Sequence, residues 1–154
     1  MASLADIEDF LAQKRIALVG VARNPKDFNR VLFRSFRERG YDAVPVNPNA
    51  QELDGVRCFA SVQEIQPPVD AVLVMTPAAK TDFIAKDCAD AGVKRIWMYR
   101  AVGTGALSQP AVEFCRKKGM RVVDGHCPFM FLRDTPWPHR LHGFLVKIAG
   151  RYPK

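Results

Sequence analysis

One stretch near the amino terminus most strongly limits how this chain can fold. Residues 15–21 form an apolar run that breaks at Gly20, and a polar turn over residues 22–25 follows it. A buried strand that breaks at a glycine before a helix is typical of the first βα turn of a parallel sheet. Such a turn directs backbone N–H groups and a helix amino terminus towards an anion. The stretch therefore predicts a βαβ fold with a nucleotide-type ligand at the carboxyl ends of its strands.

The same order of strand and helix repeats along the chain. Apolar periodicity predicts strands at residues 15–21, 41–47, 70–75, 95–99 and 121–124, and helices near residues 3–12, 28–39, 79–91, 107–118 and 141–148. A short extended piece is predicted at residues 55–59, and Ser61 can cap a single turn after it. This alternation with short connections predicts an α/β, Rossmann-like, doubly wound and mainly parallel sheet with helices on both faces.

Composition narrows the class of protein. The 154 residues support one hydrophobic core and are few for two, so a single domain over residues 1–154 is expected. The apolar runs have the length of strands, so no transmembrane segment is predicted. The acidic amino terminus lacks the features of a signal peptide, and we therefore expect a cytoplasmic location.

The net charge of +7 favours an anionic partner without identifying it. The basic residues are spread along the chain, and no basic run is interleaved with aromatic residues. Neither nucleic acid nor a membrane is therefore expected as a partner.

The thiols and imidazoles give no reaction mechanism. His126 precedes a cysteine, but adjacency does not activate a thiolate, and we expect a buried cysteine beside a partly exposed histidine. His139 and His142 have a spacing that metals use, but no third ligand accompanies them, so no metal site is predicted. The cysteines have no CxxC spacing and are expected to be small buried hydrophobic residues. They are Cys58, Cys88, Cys115 and Cys127.

The predicted anion site begins with the loop after the first strand. Gly20 permits close approach of a ligand to the strand end, Asn24 can adopt a left-handed turn, and Asn29 can cap the next helix. Positive charges lie close to this helix start, and phosphate groups pair with such charges. The cations are Arg23, Lys26 and Arg30.

A nicotinamide dinucleotide does not fit this loop well. The dinucleotide fingerprint needs three glycines and an acid after the second strand. The loop has Gly20 alone, the second strand ends at Asn47, and Asp42 lies at the far end of that strand. A Walker loop is also missing. Because Arg23 suits a 2′-phosphate, an NAD(P)-linked oxidoreductase remains an alternative.

Several segments together resemble a known family. Residues 16–25, Gly40-Tyr41, residues 44–48 and residues 69–72 resemble the small stand-alone CoA-binding proteins and the CoA-binding domain of the succinyl-CoA synthetase α subunit. The resemblance covers about residues 13–132 and implies coenzyme A or an acyl-CoA as the ligand. It implies phosphate contacts from Gly20, Ala22, Arg23, Asn24 and Arg30. It further implies that the nucleotide borders Asn47 and Pro48, and that the opposite wall consists of Met75, Thr76, Pro77 and Lys80.

The resemblance also implies a function. The phosphohistidine of the synthetase lies in a second domain that this chain lacks, so ligase activity of the chain by itself is not expected. We expect a non-catalytic CoA-binding protein that acts as a sensor, carrier or regulator. A CoA ligase or transferase component that works with a partner chain is a further alternative. A homo-oligomer also stays open, with residues 128–132 as an edge or interface strand.

Overall fold

The computed structural model describes residues 2–132 of the chain. Its main sheet has five parallel strands: β1 (Arg15–Val19), β2 (Asp42–Val46), β5 (Ala71–Val74), β6 (Arg95–Met98) and β7 (Arg121–Asp124). A separate antiparallel hairpin consists of β3 (Glu52–Leu53) and β4 (Val56–Arg57). The order in the main sheet is β2-β1-β5-β6-β7. This architecture confirms the predicted α/β, Rossmann-like fold.

The helices are α1 (Leu4–Leu11), α2 (Phe28–Glu38), α3 (Ala78–Asp90) and α4 (Gln109–Lys117). Short 3₁₀ turns occur at residues 62–64 and 128–130. The predicted bounds of these helices and of the five main strands agree with the structure to within two residues. The predicted helix at residues 141–148 and the pair His139 and His142 lie outside the described residues.

Both faces of the sheet are covered by helices because successive strand residues point to opposite sides. In β1, Ile16 and Leu18 pack in the cluster that contains the buried residues of α1 and α2. Ala17 and Val19 pack in the other cluster, against α3 and α4. All four cysteines are free and buried, as predicted.

The strand order places a switch point between β1 and β5. The chain leaves β1 for β2 on one side and then crosses back past β1 to β5 on the other. Ligands of such sheets bind outside the carboxyl ends of the strands at this point. β2 is at the edge of the sheet, so Pro45 removes no hydrogen bond to β1. Phe59 instead covers the outer side of β2, because its N–H donates to the Pro45 carbonyl at 3.1 Å.

The predicted extended piece at residues 55–59 is confirmed in part: Val56–Arg57 form β4 of the hairpin, whose turn is Asp54-Gly55, and Phe59 forms a bridge to Val46. The prediction for a second irregular segment is wrong. Residues 128–132 do not form an edge strand, because Pro128 begins a 3₁₀ turn and Phe129 and Leu132 are buried in the core. Among residues 2–132, no helix is long and apolar enough to cross a membrane.

Candidate functional site

Gly20 stands where β1 meets the end of β5. Its φ is +96°, and a Cβ atom there would lie 2.9 Å from Cγ2 of Thr76 and 3.2 Å from the Thr76 backbone nitrogen. Asn29 spans the same junction, since its Nδ2 donates to the carbonyl oxygens of Gly20 at 3.1 Å and of Met75 at 3.4 Å. Both the backbone angle and the close approach therefore require glycine at this position.

Side chains also hold the next three carbonyl groups of the loop. The Val21 carbonyl accepts a hydrogen bond of 2.9 Å from Nδ2 of Asn47. The carbonyls of Ala22 and Arg23 accept bonds of 2.9 Å and 3.1 Å from Nη1 of Arg30. Four consecutive carbonyls, from residue 20 to residue 23, are thus tied to side-chain donors.

This arrangement orients the amide groups of the loop. In a trans peptide the N–H points away from the preceding C=O, so the N–H groups of residues 21–24 are directed away from the side chains that hold the carbonyls. Within residues 2–132 none of these four N–H groups donates a hydrogen bond. A run of such free amides can take up an anion. We call the N–H groups of Val21, Ala22, Arg23 and Asn24 the amide cradle.

Arg30 supports the cradle from the inside. Only 7% of its surface is exposed, and its Nε and Nη2 donate to the two carboxylate oxygens of Asp54, each at 2.9 Å. The hydrogen bond to Asp54 raises the pKa of Arg30. Hydrogen bonds from Arg30 and Arg34 hold the pKa of Asp54 well below its usual range. The guanidinium of Arg30 thus faces the loop carbonyls and Asp54, and its predicted contact with a phosphate stays a prediction.

The start of α2 differs from the prediction. Asp27, not Asn29, caps the helix, and its carboxylate accepts from the Asn29 N–H at 3.0 Å. A carboxylate already occupies this helix amino terminus, so the cradle ahead of it is the more suitable anion site. Asn24 is not left-handed, and its Oδ1 instead accepts from the Lys26 N–H at 3.0 Å. In the described part of the chain, Arg23 and Lys26 form no ion pair.

A cavity of about 360 Å³ lies beside the cradle, between the carboxyl ends of β1, β2 and β5 and the first turns of α3. This volume is within the range of roughly 300–1,000 Å³ that is usual for small-molecule sites. Five of the predicted site residues line it: Gly20, Asn47, Pro48, Thr76 and Lys80. The lining residues that the sequence analysis did not predict include Ser61, Val62, Phe83, Ile84 and Asp87.

The lining of the cavity combines apolar surface with a few polar groups. The Phe83 ring is 73% exposed although it lies at the cavity. The Thr76 hydroxyl oxygen is buried and has no hydrogen-bond partner in the described part of the chain. Asp87 accepts a hydrogen bond of 2.5 Å from Gln63. Lys80 is exposed at the first turn of α3. An aromatic face, a free hydroxyl and a lysine are suited to a planar base with an attached phosphate.

A comparison with protein families agrees with this geometry. The family model of the CoA binding domain matches residues 14–133. This span contains the cradle, the side chains that support it and every residue that lines the cavity. The chain belongs to the CoA binding domain family.

The proteins that the chain resembles have different lengths. The chain is 28% identical over 126 residues to the uncharacterized protein YneT of Bacillus subtilis, covering 81% of this chain and 90% of that protein. It is 28% identical over 129 residues to subunit alpha of the ADP-forming acetate–CoA ligase II of Pyrococcus furiosus. That match covers 79% of this chain but 28% of the ligase subunit.

A solved structure has the same fold. A hypothetical protein from Pyrococcus horikoshii superposes with a TM-score of 0.74 and 26% sequence identity, over 80% of this chain and 85% of that one.

Two of the residues predicted for the opposite wall lie elsewhere. The Met75 side chain is buried in the core on the α1 and α2 face, and only its carbonyl reaches the junction at Asn29. Pro77 precedes α3 and is exposed outside the cavity. Of the residues predicted for the opposite wall, Thr76 and Lys80 line the cavity.

The sequence analysis missed the long-range supports of the site. Asp54 carried a local signal, because Asp-Gly is a hairpin turn and both residues have positive φ. Its pairing with Arg30 across 24 residues had none. Phe83 carried a weak signal as an aromatic residue one turn after Lys80 on a polar helix face.

Three thiols and one imidazole are not activated, because burial disfavours their charged forms. Burial raises the pKa of Cys58, whose Sγ lies 3.6 Å from the Asn47 carbonyl oxygen, and burial raises the pKa of Cys115 to about 11. Burial lowers the pKa of His126 and raises that of Cys127. A buried cysteine beside a partly exposed histidine confirms the prediction for this pair. Residues 2–132 contain no group of three potential metal ligands.

A larger cavity of about 830 Å³ lies elsewhere, close to the amino ends of β1 and β2. Leu11, Tyr41 and Leu132 are among its lining residues. It is remote from the switch point and adjoins the last described residue, so it is not the candidate ligand site.

Proposed function

We propose that this chain binds coenzyme A or an acyl-CoA at the carboxyl edge of its sheet and performs no chemical step on it. The observation that carries the proposal is the amide cradle, held open by three side chains next to the cavity at the switch point. Membership of the CoA binding domain family supports the identity of the ligand. A sensor, carrier or regulator would have these properties.

The cradle and its neighbouring cations would hold the phosphate groups. Coenzyme A carries a diphosphate and a 3′-phosphate, so it needs several hydrogen-bond donors and positive charges. The N–H groups of residues 21–24 supply donors, and the exposed side chains of Arg23 and Lys26 supply charge. Lys80 would contact a phosphate from the α3 side of the cavity.

The cavity would hold the adenosine part of the ligand. Asn47 and Pro48 border it on the β2 side, and the Phe83 ring offers a flat apolar face on the α3 side. The Thr76 hydroxyl would find its missing hydrogen-bond partner on the ligand. The pantetheine arm and any acyl group would then extend along the carboxyl edge away from the cavity.

A component of a CoA ligase is a second candidate function. The observation that favours it is the 28% identity to subunit alpha of an ADP-forming acetate–CoA ligase, in which this chain corresponds to 28% of the subunit. In such an assembly the chain would supply the CoA site, and a partner chain would supply the groups that react. An NAD(P)-linked oxidoreductase gains less support, because the Asn47 side chain at the end of β2 is bound to the Val21 carbonyl.

Isothermal titration of the purified chain with CoA, acetyl-CoA, NAD, NADP and ATP tests the proposal. We expect binding of CoA or acetyl-CoA and none of NAD or NADP. Binding of NADP without CoA would overturn it. Acetyl-CoA formation from acetate, ATP and CoA by the chain alone would contradict the non-catalytic part, whereas formation only with a partner chain would favour the ligase component.

A matched pair of lysine variants locates the site. Lys80→Met removes a cation from the cavity and should weaken CoA binding by about fivefold to tenfold, as expected for one phosphate contact. Lys86→Met removes an exposed lysine of α3 that does not line the cavity, and CoA affinity should stay within about twofold. Equal affinities of the two variants would place the phosphates elsewhere.

A further inference from the structure

Asp54 has an unusual number of partners for a residue in a short hairpin turn. Its Oδ2 accepts from Nε of Arg30 at 2.9 Å and from Nε of Arg34 at 2.8 Å. Its Oδ1 accepts from Nη2 of each arginine at 2.9 Å. Nη1 of Arg37 donates to the Asp54 carbonyl at 3.2 Å. One carboxylate thus takes four charge-assisted hydrogen bonds from two arginines that lie one turn apart on α2.

The buried guanidinium of Arg30 depends on this carboxylate. A charge that is 7% exposed needs an opposite charge close by, and Asp54 is the acid that Arg30 contacts. The guanidinium group is planar and rigid, so the two bonds to Asp54 also determine where Nη1 points. Nη1 points to the carbonyls of Ala22 and Arg23.

We propose that Asp54 is a positioning residue for the amide cradle. It orients Arg30, and Arg30 holds the carbonyls of Ala22 and Arg23. The N–H groups of Arg23 and Asn24 are consequently turned outward to the ligand. The inference rests on the proposed function, because the cradle is where the CoA phosphates would bind. The β3–β4 hairpin then supports the ligand site indirectly, through Asp54, without contacting the ligand.

A purely structural role of Asp54 predicts a different result. If Asp54 only fastened the hairpin to α2, its loss would lower stability and weaken every ligand contact in proportion. A positioning role predicts a loss at residues 23 and 24, while contacts at Thr76 and Lys80 persist. Residue-resolved NMR during a CoA titration separates the two roles.

Asp54→Asn is the most informative variant. Asparagine tolerates the φ of +52° and keeps the shape of the side chain, but it removes the charge and turns one acceptor into a donor. Glu52→Gln is the matched control, since it neutralises a carboxylate of the same hairpin that has no ion pair or side-chain hydrogen bond within residues 2–132.

We expect Asp54→Asn to weaken CoA binding about tenfold, because the cradle loses its orientation. The CoA-induced shifts of the Arg23 and Asn24 amides should disappear, and those of Thr76 and Lys80 should remain. Glu52→Gln should behave as the wild type. Wild-type affinity of Asp54→Asn, or a proportional loss at all four amides, would overturn the inference.

A second variant keeps the inference testable if Asp54→Asn does not fold. Arg30→Lys retains a positive charge beside Asp54, but an ammonium group cannot bond to the carboxylate and to both carbonyls at once. The same selective loss at the Arg23 and Asn24 amides is expected, and its absence would count against the inference. If the wild type binds CoA and the variants bind it equally well, only the inferred role of Asp54 is refuted, and the proposed function stands. If the wild type shows no CoA binding, the proposed function fails as well.

Discussion

The two βα turns at the switch point are built in opposite ways. The turn from β1 to α2 is long, three side chains hold its carbonyls, and Asp27 caps the helix that follows. The turn from β5 to α3 is short, no side chain caps its helix, and the Thr76 hydroxyl lacks a partner in the described part of the chain. The first turn is therefore preorganised, with its N–H groups held outward before any ligand arrives, whereas the second turn, within residues 2–132, has no such support and leaves a buried hydroxyl without a partner.

This difference suggests that the two turns contribute to ligand binding in different ways. A preorganised set of N–H groups binds an anion without the cost of ordering a loop. Unsatisfied groups at the second turn gain most when a ligand supplies the missing partner, since an unpaired buried hydroxyl is unfavourable. We expect the first turn to contribute phosphate affinity and the second to contribute selection of the nucleotide.

Gly20→Ala disrupts the close contact between the two turns and should have the largest effect on stability. The new Cβ meets the Thr76 methyl group at 2.9 Å and its backbone at 3.2 Å, and the φ of +96° is unfavourable for alanine. We expect a loss of about 2–4 kcal/mol in the free energy of unfolding, measured by urea denaturation.

Gly92→Ala is the control for the backbone angle. Gly92 has a φ of +76° but open space around the position of a Cβ atom. Gly92→Ala should lower the free energy of unfolding by about 1 kcal/mol, which is the cost of the backbone angle alone. If both variants lose the same free energy, the close approach of Gly20 to Thr76 does not contribute to stability.

Acid should loosen the first turn, because the support of this turn depends on the ion pair between the Asp54 carboxylate and the buried guanidinium of Arg30. The pKa of Asp54 is lowered in the folded state, so its contribution to stability is present above the unfolded value of about 3.9 and is lost as the pH falls below it. We expect wild type to exceed Asp54→Asn in stability at pH 7, with a smaller difference at pH 3. Urea unfolding at both pH values measures this difference.

Asp9 does not confuse that measurement. Its pKa is also lowered, chiefly by a hydrogen bond from Arg95, but this pair is present in both proteins and cancels in the comparison. A difference between the two proteins that is unchanged at pH 3 would show that the Asp54 charge does not support the loop.

The contrast between the two turns also explains what could be predicted from the sequence. The elements were predictable because strand periodicity and helix-ending glycines are local signals. The cradle loop was located for the same reason, at the break of β1 at Gly20. Of the three side chains that hold the loop, Asn47 reaches the Val21 carbonyl over 26 residues. Arg30 and Asn29 are in turn bound to partners 24 and 46 residues away, Asp54 and the Met75 carbonyl. Such distances leave no local pattern, so Arg30 was predicted as a ligand contact rather than as a support.

Thr76→Val tests whether the second turn contains an unsatisfied hydroxyl, and it should have the smallest effect on stability. Because the Thr76 hydroxyl has no partner in the described residues, its removal should leave the free energy of unfolding unchanged or raise it by up to about 1 kcal/mol. Thr81→Val is the matched control in the helix that follows the turn, since that buried hydroxyl donates to the Ala106 carbonyl at 2.7 Å. Thr81→Val should lower the free energy of unfolding by about 1–2 kcal/mol.

If Thr76→Val keeps its stability but binds CoA about threefold more weakly by titration, the Thr76 hydroxyl finds its partner on the ligand. If Thr76→Val instead loses as much stability as Thr81→Val, the Thr76 hydroxyl already has a hydrogen-bond partner within the protein. The contrast between the two turns then fails.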